Sequence, residues 1–188
     1  MALDDSSARS DAELLAAYAA GDQSAARALA SEHGPRVLAL ARRLLGGDNA
    51  EAEDVAQEAM LRLWKIAPEW RPGEAKISTW LYRVASNLCT DRLRKRRGVG
   101  LDQAPETPDP APAAVEGMIA GDRSTVLHHA LERLPERQKT ALVLRHLQEL
   151  GNPEIARIMG ISVNAVESLL SRGRKELRHL KRWLYMIL

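Results

Sequence analysis

The stretch Asn152-Pro153-Glu154-Ile155-Ala156-Arg157-Ile158-Met159-Gly160-Ile161-Ser162-Val163-Asn164-Ala165-Val166 decides the fold. Asn152 is a good N-cap, and Pro153 suits the first helical position, where its missing N–H costs nothing. Ala156 is small where a second helix must come close. Gly160 stands where the chain needs a left-handed residue to leave the helix, and Ser162 caps the next one. Val166 and Leu169 then point back onto Ile155 and Ile158. A short helix, a Gly-containing turn and a second helix make the helix-turn-helix unit that places its second helix in a DNA groove. The bland alternative is a helical hairpin with a solvated charged face. The outer face of the second helix carries Asn164, Glu167, Ser168, Ser171, Arg172, Arg174 and Lys175. Its early residues can reach base edges and its later cations can hold phosphate.

The rest of the chain is helical in the same style. It has 188 residues, 27 Lys+Arg against 25 Asp+Glu, and a net charge of +2, which excludes a protein that is basic throughout. Four Trp, three Tyr and no Phe leave Leu, Ala, Val and Ile to build the core, a composition that favours helix over sheet. No useful period-2 alternation occurs, so no strands are expected. Helices are predicted from Asp11 to Ala20, from Ser24 to Leu45 (kinked or broken at Pro35), from Asp48 to Ile66 and from Ser78 to Arg97. Further helices are predicted over Ser124 to Arg133, Pro135 to Glu149, Pro153 to Met159 and Val163 to Arg182. Between the two blocks, residues 98–122 hold Pro105, Pro108, Pro110 and Pro112 with several acids. No Lys or Arg occurs from Gly98 to Gly121. Proline at that density prevents helix and stiffens an extended linker. The expected architecture is all-α, with two small helical domains over residues 11–97 and 123–182.

The lone Cys89 excludes an internal disulfide and fits a reducing compartment. The N-terminus lacks the apolar run of a signal peptide, and no apolar stretch is long enough to span a bilayer. None of the five histidines sits with acids at metal-ligand spacing, and no phosphate loop or nucleophile motif occurs, so no metal, cofactor or enzymatic activity is expected.

Two helices of the first block differ in charge. From Arg83 to Arg97 there are six cations and one anion. Trp70, Lys76, Trp80 and Tyr82 lie just upstream or at the start of this helix. Cations interleaved with aromatics suit unstacked or single-stranded DNA, although cations at a helix C-terminus are favourable without any function. The helix from Asp48 instead opens with Glu51, Glu53, Asp54, Gln57 and Glu58. Acids near a helix start are favourable in themselves.

The combination resembles the bacterial sigma factors of the extracytoplasmic-function group. Ala52-Glu53-Asp54-Val55-Ala56-Gln57-Glu58-Ala59-Met60-Leu61-Arg62-Leu63-Trp64 resembles region 2.2. Ser78-Thr79-Trp80-Leu81-Tyr82-Arg83-Val84-Ala85-Ser86-Asn87, running into Asp91-Arg92-Leu93-Arg94, resembles regions 2.3 and 2.4. Leu134-Pro135-Glu136-Arg137-Gln138 and the helix-turn-helix resemble region 4. The resemblance implies a non-enzymatic factor that lends promoter specificity to core RNA polymerase. On that basis Asp54, Gln57, Glu58 and Leu61 meet the polymerase β′ subunit, with β as a further contact of the holoenzyme. Trp70, Lys76, Trp80, Arg83, Asn87, Arg92, Arg94 and Lys95 hold the −10 strand with a flipped base. Asn164, Ala165, Glu167, Ser168, Ser171, Arg172, Arg174 and Lys175 meet the −35 element. It also implies a cytoplasmic protein controlled by an anti-sigma factor, with sequestration at the inner membrane as one form of that control. Glu167 and Leu169 depart from the cations that many members carry there; Glu accepts from cytosine N4 but repels phosphate. A stand-alone helix-turn-helix regulator is the competing reading, and a helical decoy without DNA contact a third.

Overall fold

The computed structural model describes residues 10–71, 73, 75–102 and 130–187. Helix α1 (Asp11–Ala19) starts at Ser10, whose N–H donates to Glu13 Oε2 at 2.7 Å in a reciprocal capping box. Helix α2 (Gln23–Leu44) is capped by Asp22, and α3 (Asn49–Ile66) by Asp48, which accepts from the Glu51 N–H at 3.1 Å. A 3₁₀ turn (Ala67–Glu69) leads toward α4 (Ile77–Asp102). Residues 130–132 are helical. Then come α5 (Glu136–His146), α6 (Asn152–Met159) and α7 (Val163–Ile187). No strand occurs among the described residues.

Several boundaries differ from expectation. Pro35 does not break α2, and its ring lies on the exposed side of the helix, clear of the core. Helix α4 runs past Arg97 through Gly98 and Gly100 to Asp102, so the first residues assigned to the linker are helical. The remainder of the predicted linker and most of the Ser124–Arg133 helix lie outside the described residues. Asn152 is the first helical residue rather than the cap. Gly151 is the cap, and its N–H donates to Glu154 Oε2 at 3.3 Å. The helix predicted to reach Glu149 stops at His146, because Glu149 takes a left-handed conformation (φ 54°) in the loop to α6.

A single apolar cluster joins the whole. Leu15, Leu29, Leu40, Leu63 and Leu81 close the α1–α4 bundle, while Leu144, Ile155, Ile158, Val166 and Leu170 close the helix-turn-helix. Burying each such side chain contributes about 1.5–3 kcal/mol. Leu170 is the fully buried seam residue of α7; Leu169, expected there, is only partly buried. The two units predicted as separate domains also touch. Helix α2 packs on α5, and α4 packs on α6.

Gly160 closes α6 at φ +63°, with no atom of a more distant residue within 4 Å of where a Cβ would stand. The backbone alone therefore sets the cost of substitution. Gly160→Ala should lower stability by about 1 kcal/mol and Gly160→Val by about 2, since a β-branched residue fits the left-handed region worst. Thermal melts followed by circular dichroism would check both; an unchanged Tm in Gly160→Val would contradict the turn geometry.

Candidate functional site

Three faces carry the predicted residues. On α3, Ala52, Val55, Ala59 and Leu63 are buried, which turns Asp54, Gln57, Glu58 and Leu61 outward. Their spacing of i, i+3, i+4 and i+7 makes them one stripe. Leu61 is 61% exposed, the highest value among the large apolar side chains described. Glu58 holds Arg62 at 2.8 Å, and the Arg92 guanidinium lies 3.6 Å from Asp54. An exposed leucine at the end of a carboxylate-bearing stripe cannot stabilise the fold by burial, yet it suits a partner that offers an apolar seat beside a basic edge.

On α4, Trp80, Arg83, Asn87 and Arg94 fall on one side, with Lys95 beside them. Arg83, Asn87, Arg94 and Lys95 are exposed. Trp80 meets Trp70 edge to face, with ring centroids 6.2 Å apart, so the two indoles form one partly buried platform. The structure does not bring Arg92 to this side. Only 27% exposed, it turns to α3, where it donates to the Glu51 carbonyl at 3.3 Å as well as facing Asp54. Arg96 does likewise, 2.6 Å from Asp48 and 2.8 Å from Glu51. The Glu51 N–H, more than Arg96, holds the Asp48 carboxyl below its usual range. Lys76 is exposed and pairs with Glu154 of α6 at 3.2 Å. The Gly151 N–H first, and then Lys76, lower the Glu154 pKa.

On α7, Ser162 Oγ accepts from the Ala165 N–H at 3.2 Å and fixes the helix start. Asn164, Ser168, Ser171 and Lys175 then line one outward stripe, flanked by Glu167 and Arg172; Arg174 and the half-buried Ala165 stand at its two edges, and all but Ala165 are exposed. Gly173 lies on the opposite side, where a Cβ would come within 2.7 Å of Leu142 Cδ1. This glycine lets α5 and α7 approach.

Models of two families match the chain: sigma-70 region 2 over residues 29–99 and sigma-70 region 4 over residues 124–177. The ECF RNA polymerase sigma factor SigM of Mycobacterium tuberculosis is 37% identical over 175 residues, spanning 92% of this chain and 85% of SigM. SigW of Bacillus subtilis, another ECF RNA polymerase sigma factor, is 31% identical over 169 residues, spanning 84% of this chain and 89% of SigW. This chain belongs to the ECF sigma factors. Among solved structures, CnrH in complex with the cytosolic domain of CnrY matches with a TM-score of 0.67 at 26% identity, over 92% of this chain and 97% of CnrH.

Sigma factors are transcription initiation factors and not enzymes. Two features of this sigma factor were not legible beforehand. His33, 2% exposed, lies 2.9 Å from Asp11 Oδ2 with Glu32 nearby, so one histidine does meet two acids. The contact ties α1 to α2 across residues remote in sequence. The second is the seam between α4 and the helix-turn-helix unit. There Tyr82 donates to Gln148 Oε1 at 2.8 Å, and Lys139 is buried among Glu132, Glu136 and Cys89. Burial raises the Tyr82 pKa, lowers that of Lys139 and pushes the Cys89 thiol up to about 12. No helix among the described residues is long and apolar enough to cross a membrane.

Proposed function

We propose that this sigma factor docks on core RNA polymerase through the α3 stripe, opens the −10 element along α4 and seats α7 in the major groove of the −35 element. The observation that carries this reading is Leu61, exposed one turn beyond Glu58 and two beyond Asp54 on a face turned away from the core. The carboxylates would set register and on-rate, and the leucine would supply the buried anchor. The Trp70–Trp80 platform offers a stacking surface for a flipped base, whose unstacking cost of a few kcal/mol stacking and phosphate contacts must offset. Arg83, Arg94 and Lys95 supply the phosphate contacts. Arg92 supports them from behind by holding α4 on α3.

Adding the purified chain to core polymerase and a genomic promoter library should yield discrete initiated transcripts that core alone does not make. No transcript from any template would overturn the reading. Tight, specific binding of duplex DNA by the free chain would instead favour the stand-alone regulator. Control by an anti-sigma factor, in the cytoplasm or at the inner membrane, belongs to the same proposal; CnrH, its structural likeness, was captured with a partner domain. Saturating anti-sigma partner should block binding to core polymerase, and equal binding with and without it would remove that part.

Arg172→Ala tests the −35 face. Arg172 is exposed on α7. Its removal should weaken holoenzyme binding to a −35-containing duplex by about five- to tenfold and reduce the slope of log K against log salt by about 1. Affinity measured across a salt series reads both, and an unchanged slope would mean the side chain touches no phosphate.

A further inference from the structure

We infer that Asp11, Glu32 and His33 form a site for a zinc ion that pins the start of α1 to the middle of α2. The inference goes beyond the polymerase and promoter contacts and uses none of their residues. His33 is only 2% exposed, and its Nε2 lies 2.9 Å from Asp11 Oδ2. A Glu32 carboxylate oxygen joins them, so that all three ligand atoms lie within 4.8 Å of one another. The cluster has no signature along the chain, because Asp11 precedes His33 by 22 residues. Two devices of the fold assemble it. The reciprocal capping box of Ser10 and Glu13 fixes the first turn of α1, which carries Asp11. Burial fixes the imidazole on α2, where Leu29 and Val37 lie in the core one turn to either side of His33.

A hydrogen bond between two helices accounts for Asp11 and His33 but not for Glu32. Two carboxylates gathered around one imidazole carry an excess of negative charge, and like charges this close repel. Arg36 relieves it only in part. It reaches Glu32 at 3.5 Å, and both side chains are well exposed, so water screens the pair. A divalent cation balances both carboxylates and takes the neutral imidazole as a third ligand. The donor set selects the ion, because an imidazole nitrogen suits zinc whereas magnesium and calcium favour all-oxygen shells. Ligands about 2.1 Å from a tetrahedral ion stand roughly 3.4 Å apart. The separations here, 2.9 Å between Asp11 and His33 and at most 4.8 Å overall, bracket that spacing. The side chains of Asp11 and Glu32 are 33% and 49% exposed, so the ion enters from solvent without opening the bundle, and water completes its shell. His33 supplies the fixed ligand, and the two acids close on the ion by side-chain rotation. Because the ligands come from two helices, an ion that binds the folded chain and not the unfolded one stabilises the pairing of α1 with α2.

The full chain, purified without a histidine tag and stripped with a chelator, allows the test. It is titrated with Zn²⁺ by calorimetry and with Co²⁺ by visible absorption, and its melting is followed with and without Zn²⁺. One Zn²⁺ should bind per chain with a Kd no weaker than about 10 μM. A hundredfold excess over that Kd should raise the Tm by about 5–10 °C. Co²⁺ should give the visible bands of a low-coordinate site. Asp11→Asn/Glu32→Gln keeps the side-chain shapes and an acceptor for His33 while removing both anionic ligands. It should weaken Zn²⁺ binding by at least about tenfold and lose most of the Tm rise. Glu32→Gln alone, at an exposed position, serves should the double variant fail to fold, with a loss of at least about threefold. His146→Gln is the matched control. His146 is exposed on α5, outside the cluster, and its replacement should leave Zn²⁺ binding unchanged. No binding up to about 100 μM Zn²⁺ would overturn the site and leave a hydrogen-bonded tie between two helices. Binding that the Asp11 and Glu32 substitutions leave unchanged would overturn it too, and an equal Tm rise with Mg²⁺ would overturn the choice of ion. Transcription is not read, so failure of the sigma reading and failure of the metal site stay distinct.

Discussion

Replacing Asp54 and Glu58 with lysine should abolish promoter-dependent initiation while the chain keeps its fold. Both side chains are exposed, and their internal partners are surface ion pairs, Arg92 at 3.6 Å and Arg62 at 2.8 Å. Pairs of that kind contribute about 0–1 kcal/mol each, so the Tm should fall by no more than a few degrees. Binding is another matter. Two carboxylates facing a basic partner become two ammonium groups facing it, and like-charge juxtaposition at an interface costs several kcal/mol. A loss of about 4 kcal/mol corresponds to roughly 1,000-fold weaker core binding. Glu53→Lys is the matched control. Glu53 is adjacent in sequence, pairs with Arg42 at 3.6 Å and stands about 100° around the helix from Asp54, on the side away from Glu58. It should weaken core binding by less than about threefold. Leu61→Ala should fall between, with a loss of about 2 kcal/mol in binding and no loss of stability, because the side chain is not part of the core. Anisotropy titrations of labelled chain with core polymerase, beside run-off transcription, separate these results. Equal transcription by the double-lysine variant and the native chain would place the docking surface elsewhere.

The contrast between Asp54 and Glu53 also shows where the sequence was informative. The resemblance to region 2.2 picked out Asp54, Gln57, Glu58 and Leu61, and burial of Ala52, Val55, Ala59 and Leu63 at helical spacing puts those four on one outward stripe of α3, while the Gly160 turn was marked by a residue whose conformation few others adopt. Short-range signals of that kind survive folding unchanged. Errors arose where the deciding contact was long-range or merely permissive. Nothing in Asn152-Pro153 distinguishes cap from first helical residue until Gly151 finds the Glu154 carboxylate. Gly98 and Gly100 weaken a helix without ending it, so α4 outran its expected stop. Above all, charge along α4 reads as one basic run, whereas the fold deals alternate members of it to different neighbours. Arg92 and Arg96 go to the acidic start of α3, and Arg83, Arg94 and Lys95 stay on the solvent side. The seam with the helix-turn-helix unit had no local signature at all, since Tyr82 and Gln148 are 66 residues apart.

That division of the basic run predicts opposite behaviour from two arginines that sequence alone would treat as equivalent. Arg92→Ala should act on stability. It removes a part-buried guanidinium that donates to the Glu51 carbonyl and faces Asp54, a charge-assisted contact worth about 1–2 kcal/mol, which lowers the Tm of a chain this size by roughly 2–8 °C. Promoter opening measured well below that temperature should fall by less than about threefold, in step with the small loosening of α4. Arg94→Glu should act on DNA. The side chain is exposed, so the fold tolerates the change, with a Tm within about 2 °C of the native value. A carboxylate among backbone phosphates turns attraction into repulsion, and open-complex formation should drop by about 30-fold, the drop shrinking as added salt screens the charge. Melting curves and a permanganate footprint of the opened strand, taken on both variants, test the pair together. If Arg92→Ala impaired opening as much as Arg94→Glu did while leaving the Tm unchanged, the intramolecular tie to α3 would not describe the working protein, and the whole run would have to be assigned to DNA. The reverse pattern is what a cationic helix must show when part of its charge is already committed to holding it in place.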